Sequence, residues 1–157
     1  MTEPMQPQPQ PAVDPQWRPE GPSGPRASFW RRLGAILIDG LILGVPLGIL
    51  SAIVRSDVFA LVWIAVVFGY LSYFEGSPSG QTVGKRALGI RVIDFRSGGP
   101  IGFGRGALRT LGRILSQFLC YLGYLWMLWD REKQTWHDKI ATTVVVPTQY
   151  YPVDRWP

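Results

Sequence analysis

The chain has 157 residues, 46% of them hydrophobic and 13% aromatic, a formal net charge of +5 and one cysteine, Cys120. A single cysteine excludes an intramolecular disulfide and any thiolate metal cluster within one chain. The basic residues flank apolar blocks and accompany no base-stacking platform, which argues against nucleic acid and reads instead as the topology signal of a membrane protein.

Residues 1–28 hold eight of the fourteen prolines, interleaved with Gln, Glu, Gly and Ser, and contain no apolar core of a signal peptide. This composition predicts a disordered tail. From Phe29 to Val54 the chain is apolar, and the 22 residues after Arg32 carry one ionisable side chain, Asp39. At about 1.5 Å per residue that length crosses a hydrocarbon core of roughly 30 Å. An unpaired carboxylate there costs at least about 2.5–3.5 kcal/mol, so Asp39 is expected to face protein, water or a cation. Arg32 lies two turns earlier on nearly the same face, roughly 10 Å away along the axis, and is expected to snorkel to the head groups. Gly40, Gly44 and Gly48 recur every four residues and predict close helix packing, within the chain or between copies. Pro46 removes one backbone donor and predicts a mild kink.

After the break Arg55-Ser56-Asp57, a second apolar run covers Val58 to Phe74, the lower length limit for a span. So short a connection predicts an antiparallel helical hairpin. Arg26, Arg31 and Arg32 precede it, Lys85, Arg86, Arg91, Arg96 and Arg105 follow it, and the loop holds only Arg55. The positive-inside rule then places the amino terminus in the cytoplasm.

Glu75 to Arg105 is glycine-rich and basic. Gly80 to Lys85 resembles a phosphate-binding loop but has three residues between its glycines where four are needed, and Arg86 where Ser or Thr is required. Leu88 to Ile93 reads as a short strand ended by a turn over residues 96–100. Arg105, Arg109 and Arg113 repeat every four residues opposite Leu108, Leu111, Ile114 and Leu115, the pattern of a basic amphipathic helix at the cytoplasmic interface. The uncharged stretch Ile114 to Trp129 is 16 residues, short of a comfortable crossing, and either dips in and returns or forms a third span. Thr142 to Val146 is a β-branched run that needs a partner strand, and only Leu88 to Ile93 offers one, which favours the dip-and-return path. The expected fold is therefore an all-α membrane protein: a hairpin of two transmembrane helices, a third amphipathic, re-entrant or spanning segment, and a small cytoplasmic two-strand element. The expected organisation is a tail over 1–28, a membrane domain over 29–147 and a short terminal tail over 148–157.

Three ordered patterns stand in the chain: Phe29-Trp30-Arg31-Arg32 leading to Ile38-Asp39; Gly80-Gln81-Thr82 with Gly84-Lys85-Arg86 and Leu88-Gly89; and Gln134-Thr135-Trp136-His137-Asp138-Lys139 leading into Val144-Val145-Val146. Together they resemble the RDD family of bacterial membrane proteins, named for one arginine and two aspartates, in its actinobacterial form with a proline-rich tail. The resemblance implies Arg32, Asp39 and Asp138 as the signature residues, with Asp130 near the last. It implies a transport role without showing one.

Enzyme chemistry finds little support. His137 beside Asp138 could be an acid–base pair, but no matching nucleophile or second metal ligand accompanies it, and a structural hydrogen bond is the simpler role. No cofactor or metal is expected. Two functions remain. In one, Asp39 belongs to an ion or solute path, which in so short a chain requires a homo-oligomer or another membrane subunit. In the other, Asp39 is the structural counter-ion of Arg109 or Arg113, and the protein is an inner-membrane anchor whose tail recruits a partner.

Overall fold

The computed structural model describes residues 24–54, 56, 58–118 and 122–153. Most of the proline-rich tail, Arg55 and Asp57 of the first loop, and Cys120 lie outside the described residues. Helix α1 spans Phe29–Val54 and α2 spans Val58–Gly76. Both are long and apolar enough to cross a membrane, and their exposed large side chains are mostly Leu, Ile and Val, with Trp30 and Tyr73 exposed near their ends, the pattern of helices solvated by hydrocarbon. Helix α2 runs two residues past the predicted end, which brings Glu75 onto its last turn.

Helix α4, Gly102–Phe118, has the predicted amphipathicity but packs in the opposite sense. Arg109, Thr110, Arg113 and Ser116 are buried, while Phe103, Leu108, Leu111 and Leu115 are exposed. The physical reason is the solvent: beside a bilayer the apolar face needs no protein cover, and the polar face finds its partners inside. No third helix among the described residues has the length and hydropathy of a span. Beyond it follow a short helix α5, Leu122–Leu125, and a 3-10 turn, Trp126–Leu128.

Close helix contact uses glycines other than the predicted ones. A Cβ on Gly40, Gly44 or Gly48 would meet nothing within 4 Å, so this stripe packs against no part of the chain that is described. A Cβ on Gly106 would instead stand 2.6 Å from the Ser72 carbonyl, and one on Gly76 would stand 2.6 Å from Phe103 Cα. Bare backbone at these two positions lets α4 lie directly on α2.

The two predicted strand runs pair, displaced by one or two residues. Strand β1, Ile90–Asp94, and β2, Thr143–Pro147, are antiparallel with Val92 opposite Val145 at the centre. Both faces are covered. Ile90, Val92 and Val145 pack with Ala27, Ala35 and Ile101, and Ile93, Val144 and Val146 pack with Phe95 and Tyr151. Ala27, which composition assigns to the tail, is fully buried and its amide donates to the Val145 carbonyl, while Arg26 pairs with Glu132 at 2.6 Å. The folded unit therefore begins before Phe29, and it continues past Pro147, where the Thr148 amide donates to Gly89.

Each strand is preceded by the same device. Gln81-Thr82 opens helix α3, Val83–Ala87, and Gln134-Thr135 opens helix α6, Trp136–Ile140. Thr82 and Thr135 are the N-caps, accepting from the amides of Lys85 and Asp138. Gln81 Nε2 donates to the carbonyl of Ile90 at 2.9 Å and Gln134 Nε2 to that of Thr143 at 2.8 Å, each at the start of its strand. Gly89 and Thr142 then turn the chain with φ of 61° and 53°. Since Val92 and Val145 are equivalent in this scheme and face each other, the two copies are related by an approximate two-fold through that pair.

Candidate functional site

The polar residues of the fold gather where the first turns of α1, the end of α2, α3, α4 and α6 meet. Glu75 is fully buried. Its Oε1 accepts from Lys85 Nζ and Arg113 Nη2, and its Oε2 accepts from Arg109 Nε at 2.9 Å. Arg109, 1% exposed, bridges Glu75 to Asp138 and also donates to Thr143 Oγ1. Asp138 Oδ2 accepts from Arg32 Nη1 at 2.6 Å and from the Thr135 amide at 3.1 Å. The second bond, with the Thr135 hydroxyl accepting from the Asp138 amide, completes a capping box. One carboxylate thus caps its own helix and joins α1 to α4.

Arg32 does not snorkel. It is 7% exposed, paired with Asp138, and its Nη2 donates to the Lys133 carbonyl at 2.7 Å. Arg32 and Asp138, two of the three residues that the resemblance implies as its signature, are therefore in direct contact across 106 positions of sequence.

Asp39 stands apart from this network. Arg109 and Arg113, expected as its partners, are engaged by Glu75 and Asp138. Asp39 Oδ1 accepts from Tyr70 Oη and from the Gly84 amide, both at 2.8 Å, and Oδ2 accepts from Thr82 Oγ1 at 2.6 Å. The segment that imitates a phosphate-binding loop does hold an oxyanion group, and that group is the chain's own carboxyl. Its glycine is required: a Cβ on Gly84 would collide with the Ala35 carbonyl of α1.

The local field follows from burial and these pairings. Burial pushes Lys85 down to about 8 against the opposing pull of Glu75. Burial alone would raise Asp138, but Arg109 and Arg32 hold it well below the usual carboxylate range. His137 is driven well below the usual histidine range by burial, with Arg113 and Arg109 adding to the effect, and stays neutral. It has the structural hydrogen bond expected of it, Nε2 to Thr135 Oγ1 at 2.9 Å, and its ring lies 4.9 Å from that of Tyr124.

A cavity of about 350 Å³ opens beside the network, lined among others by Arg32, Lys85, Arg109, Arg113, Gln117 and His137. Among the described residues no three His, Cys, Asp or Glu side chains are grouped as metal ligands would be. Glu75, Lys85, Tyr70 and Thr82 were not legible as site residues. One signal for Glu75 is present in the sequence: it is the only acidic residue between Asp57 and Asp94, in a stretch rich in cations.

The chain is similar to the proline-rich antigen homolog of Mycobacterium tuberculosis H37Rv, 43% identical over 82 residues that are 52% of this chain and 33% of that protein. The alignment thus spans about a third of the mycobacterial relative's length. It is also similar to the uncharacterised protein YxaI of Bacillus subtilis, 29% identical over 147 residues covering 76% of this chain and 96% of the relative. An uncharacterised Haemophilus influenzae protein is 32% identical over 124 residues, covering 77% and 78%. No solved structure matches. The RDD family model matches residues 26–142, a span that begins at the arginine tied to Glu132 and ends at the turn just before β2, and the chain belongs to the RDD family.

Proposed function

We propose that this chain is a non-conducting membrane anchor and assembly domain, with its amino terminus and its charged end in the cytoplasm and the proline-rich segment as a recruitment arm. The observation that carries this reading is the state of Asp39: three donors take up its two oxygens, so its role is to lock α3 and Tyr70 against α1. The excess of Lys and Arg on both flanks of the hairpin supports the orientation. Single cysteines at Ser56 and Ser97 in a Cys120→Ser background test it: an impermeant thiol reagent added to intact cells labels the first and spares the second.

The anchor reading predicts that liposomes holding the purified protein dissipate an imposed proton or sodium gradient no faster than empty ones, while the tail retains a partner in pull-downs. A flux that disappears in Asp39→Asn would overturn it. The second reading, a transport subunit active as an oligomer, draws on the open glycine stripe of α1, which leaves room for another helix beside the span that carries Asp39.

A further inference from the structure

The cavity beside the charge network has a composition that the network does not explain. Four cations line it, Arg32, Lys85, Arg109 and Arg113, and the carboxylates paired with them are two, Glu75 and Asp138. Two positive charges stand in formal excess, and the Asp39 carboxyl is already taken up by Tyr70, Thr82 and Gly84.

Three of the lining residues also carry a buried nitrogen with no hydrogen-bond partner: Arg32 Nε, Arg113 Nε and His137 Nδ1. Their residues are 7%, 9% and 2% exposed, so bulk water does not satisfy these groups. The two guanidinium nitrogens are donors. Thr135 Oγ1 accepts from the Asp138 amide and has a proton it can give to His137 Nε2; in that tautomer the ring proton sits on Nδ1, which then adds a third donor.

The internal repeat points the same way. In the first copy, a residue of the long helix, Asp39 on α1, supplies an oxyanion to the device around Thr82. The segment Leu33-Gly34-Ala35-Ile36-Leu37-Ile38-Asp39 matches Leu111-Gly112-Arg113-Ile114-Leu115-Ser116-Gln117 on α4 in its Leu-Gly-x-Ile-Leu pattern, so the position of Asp39 falls on Gln117. Gln117 is neutral, lines the cavity and is exposed. Among the described residues, the second half of the fold thus has a neutral amide at the position where the first half has its intramembrane carboxyl.

The mouth identifies the source. Phe29, Leu33, Ile36, Leu125 and Met127 also line it, and Ile36 on the first turns of the spanning helix and Leu125 on α5 are 43% and 37% exposed. A cationic floor beneath an apolar rim, at the level where α1 enters the hydrocarbon, matches an amphiphile with an anionic head. We propose that this cavity binds the phosphate head group of an anionic phospholipid, with the acyl chains remaining in the bilayer along α1 and α5. Basic pockets between membrane helices bind such head groups, and the volume lies within the roughly 300–1,000 Å³ of small-ligand sites.

The test titrates the full chain, purified in a neutral detergent, with phosphatidylglycerol bearing brominated acyl chains and follows tryptophan quenching, against phosphatidylcholine with the same chains. Phosphatidylglycerol is expected to bind at least about tenfold more tightly. Gln117→Glu supplies the missing carboxylate from within and is expected to weaken phosphatidylglycerol by about tenfold or more, leave phosphatidylcholine unchanged, and raise the thermal midpoint in lipid-free detergent. Arg31→Gln, which removes an exposed cation outside the cavity, is expected to leave both affinities as they are. Equal binding of the two lipids, or an affinity for phosphatidylglycerol untouched by Gln117→Glu, would refute the site. Displacement of the lipid by millimolar inorganic phosphate would show a free-anion site and overturn the lipid assignment.

Discussion

Replacing Glu75 by Gln is the sharpest perturbation of the charge network. The side chain keeps its shape but loses the charge that faces Lys85, Arg109 and Arg113, and its amide group adds a donor where the wild type has only acceptors. At an effective dielectric of about 20, a unit pair roughly 3 Å apart interacts by about 5 kcal/mol. Three such attractions are lost and three buried cations are left facing one another. The hydration that the carboxylate gave up on burial offsets most of the sum, and removal of one member of a buried pair has a net cost of about 3–5 kcal/mol. With three partners stranded, the upper end of that range is expected. Equilibrium unfolding in mixed micelles measures it. Lys85→Met in the same chain removes one stranded cation, so the double variant should be more stable than additivity predicts by at least about 1 kcal/mol. A loss below about 1 kcal/mol for Glu75→Gln, or strict additivity in the cycle, would refute the claim that this carboxylate holds the fold together.

The three donors on Asp39 separate two substitutions. Asn can keep its oxygen toward Tyr70 and Gly84 and turn its amide to Thr82 Oγ1, so Asp39→Asn should lose no more than about 1.5 kcal/mol, whereas Asp39→Ala strands the Gly84 amide and should lose about 2–4 kcal/mol; equal losses would contradict the geometry. Acid should destabilise the fold in two stages. His137 is neutral when folded and takes a proton when unfolded, so stability falls as pH drops below about 6.5. Asp138, held low by Arg109 and Arg32, contributes stability above its ordinary value near 3.8 and loses it as pH falls further; thermal midpoints of wild type and His137→Gln across this range should differ in slope only near the first stage. Gly106→Val should prevent folding or lower the midpoint sharply, because its side chain meets the Ser72 carbonyl, while Gly44→Leu should leave the midpoint of the monomer unchanged. A change of particle mass in Gly44→Leu would show instead that the open stripe joins two copies.

Much of the architecture follows from local chemistry and is legible without coordinates. Two apolar runs of spanning length, a carboxyl inside the first, a basic helix with one apolar face, and two β-branched runs that need each other are all consequences of period and composition. The small helices are equally local, since Thr82 and Thr135 cap them with their own hydroxyls. Partner choice is another matter. Arg32 with Asp138 and Arg109 with Glu75 are separated by 106 and 34 residues, and charge alone allows Asp39 to compete for either arginine. What excludes it is geometry that only the packed chain creates: Gly84 lets α3 press against α1 and aim its amide at Asp39, and Gly106 with Gly76 lets α4 carry its arginines up to Glu75. The inversion of α4 has the same origin. Its pattern fixes that one face is polar, but whether that face turns to water or to protein depends on the medium around the opposite face, and here the leucines of α4 look outward while its arginines complete the interior.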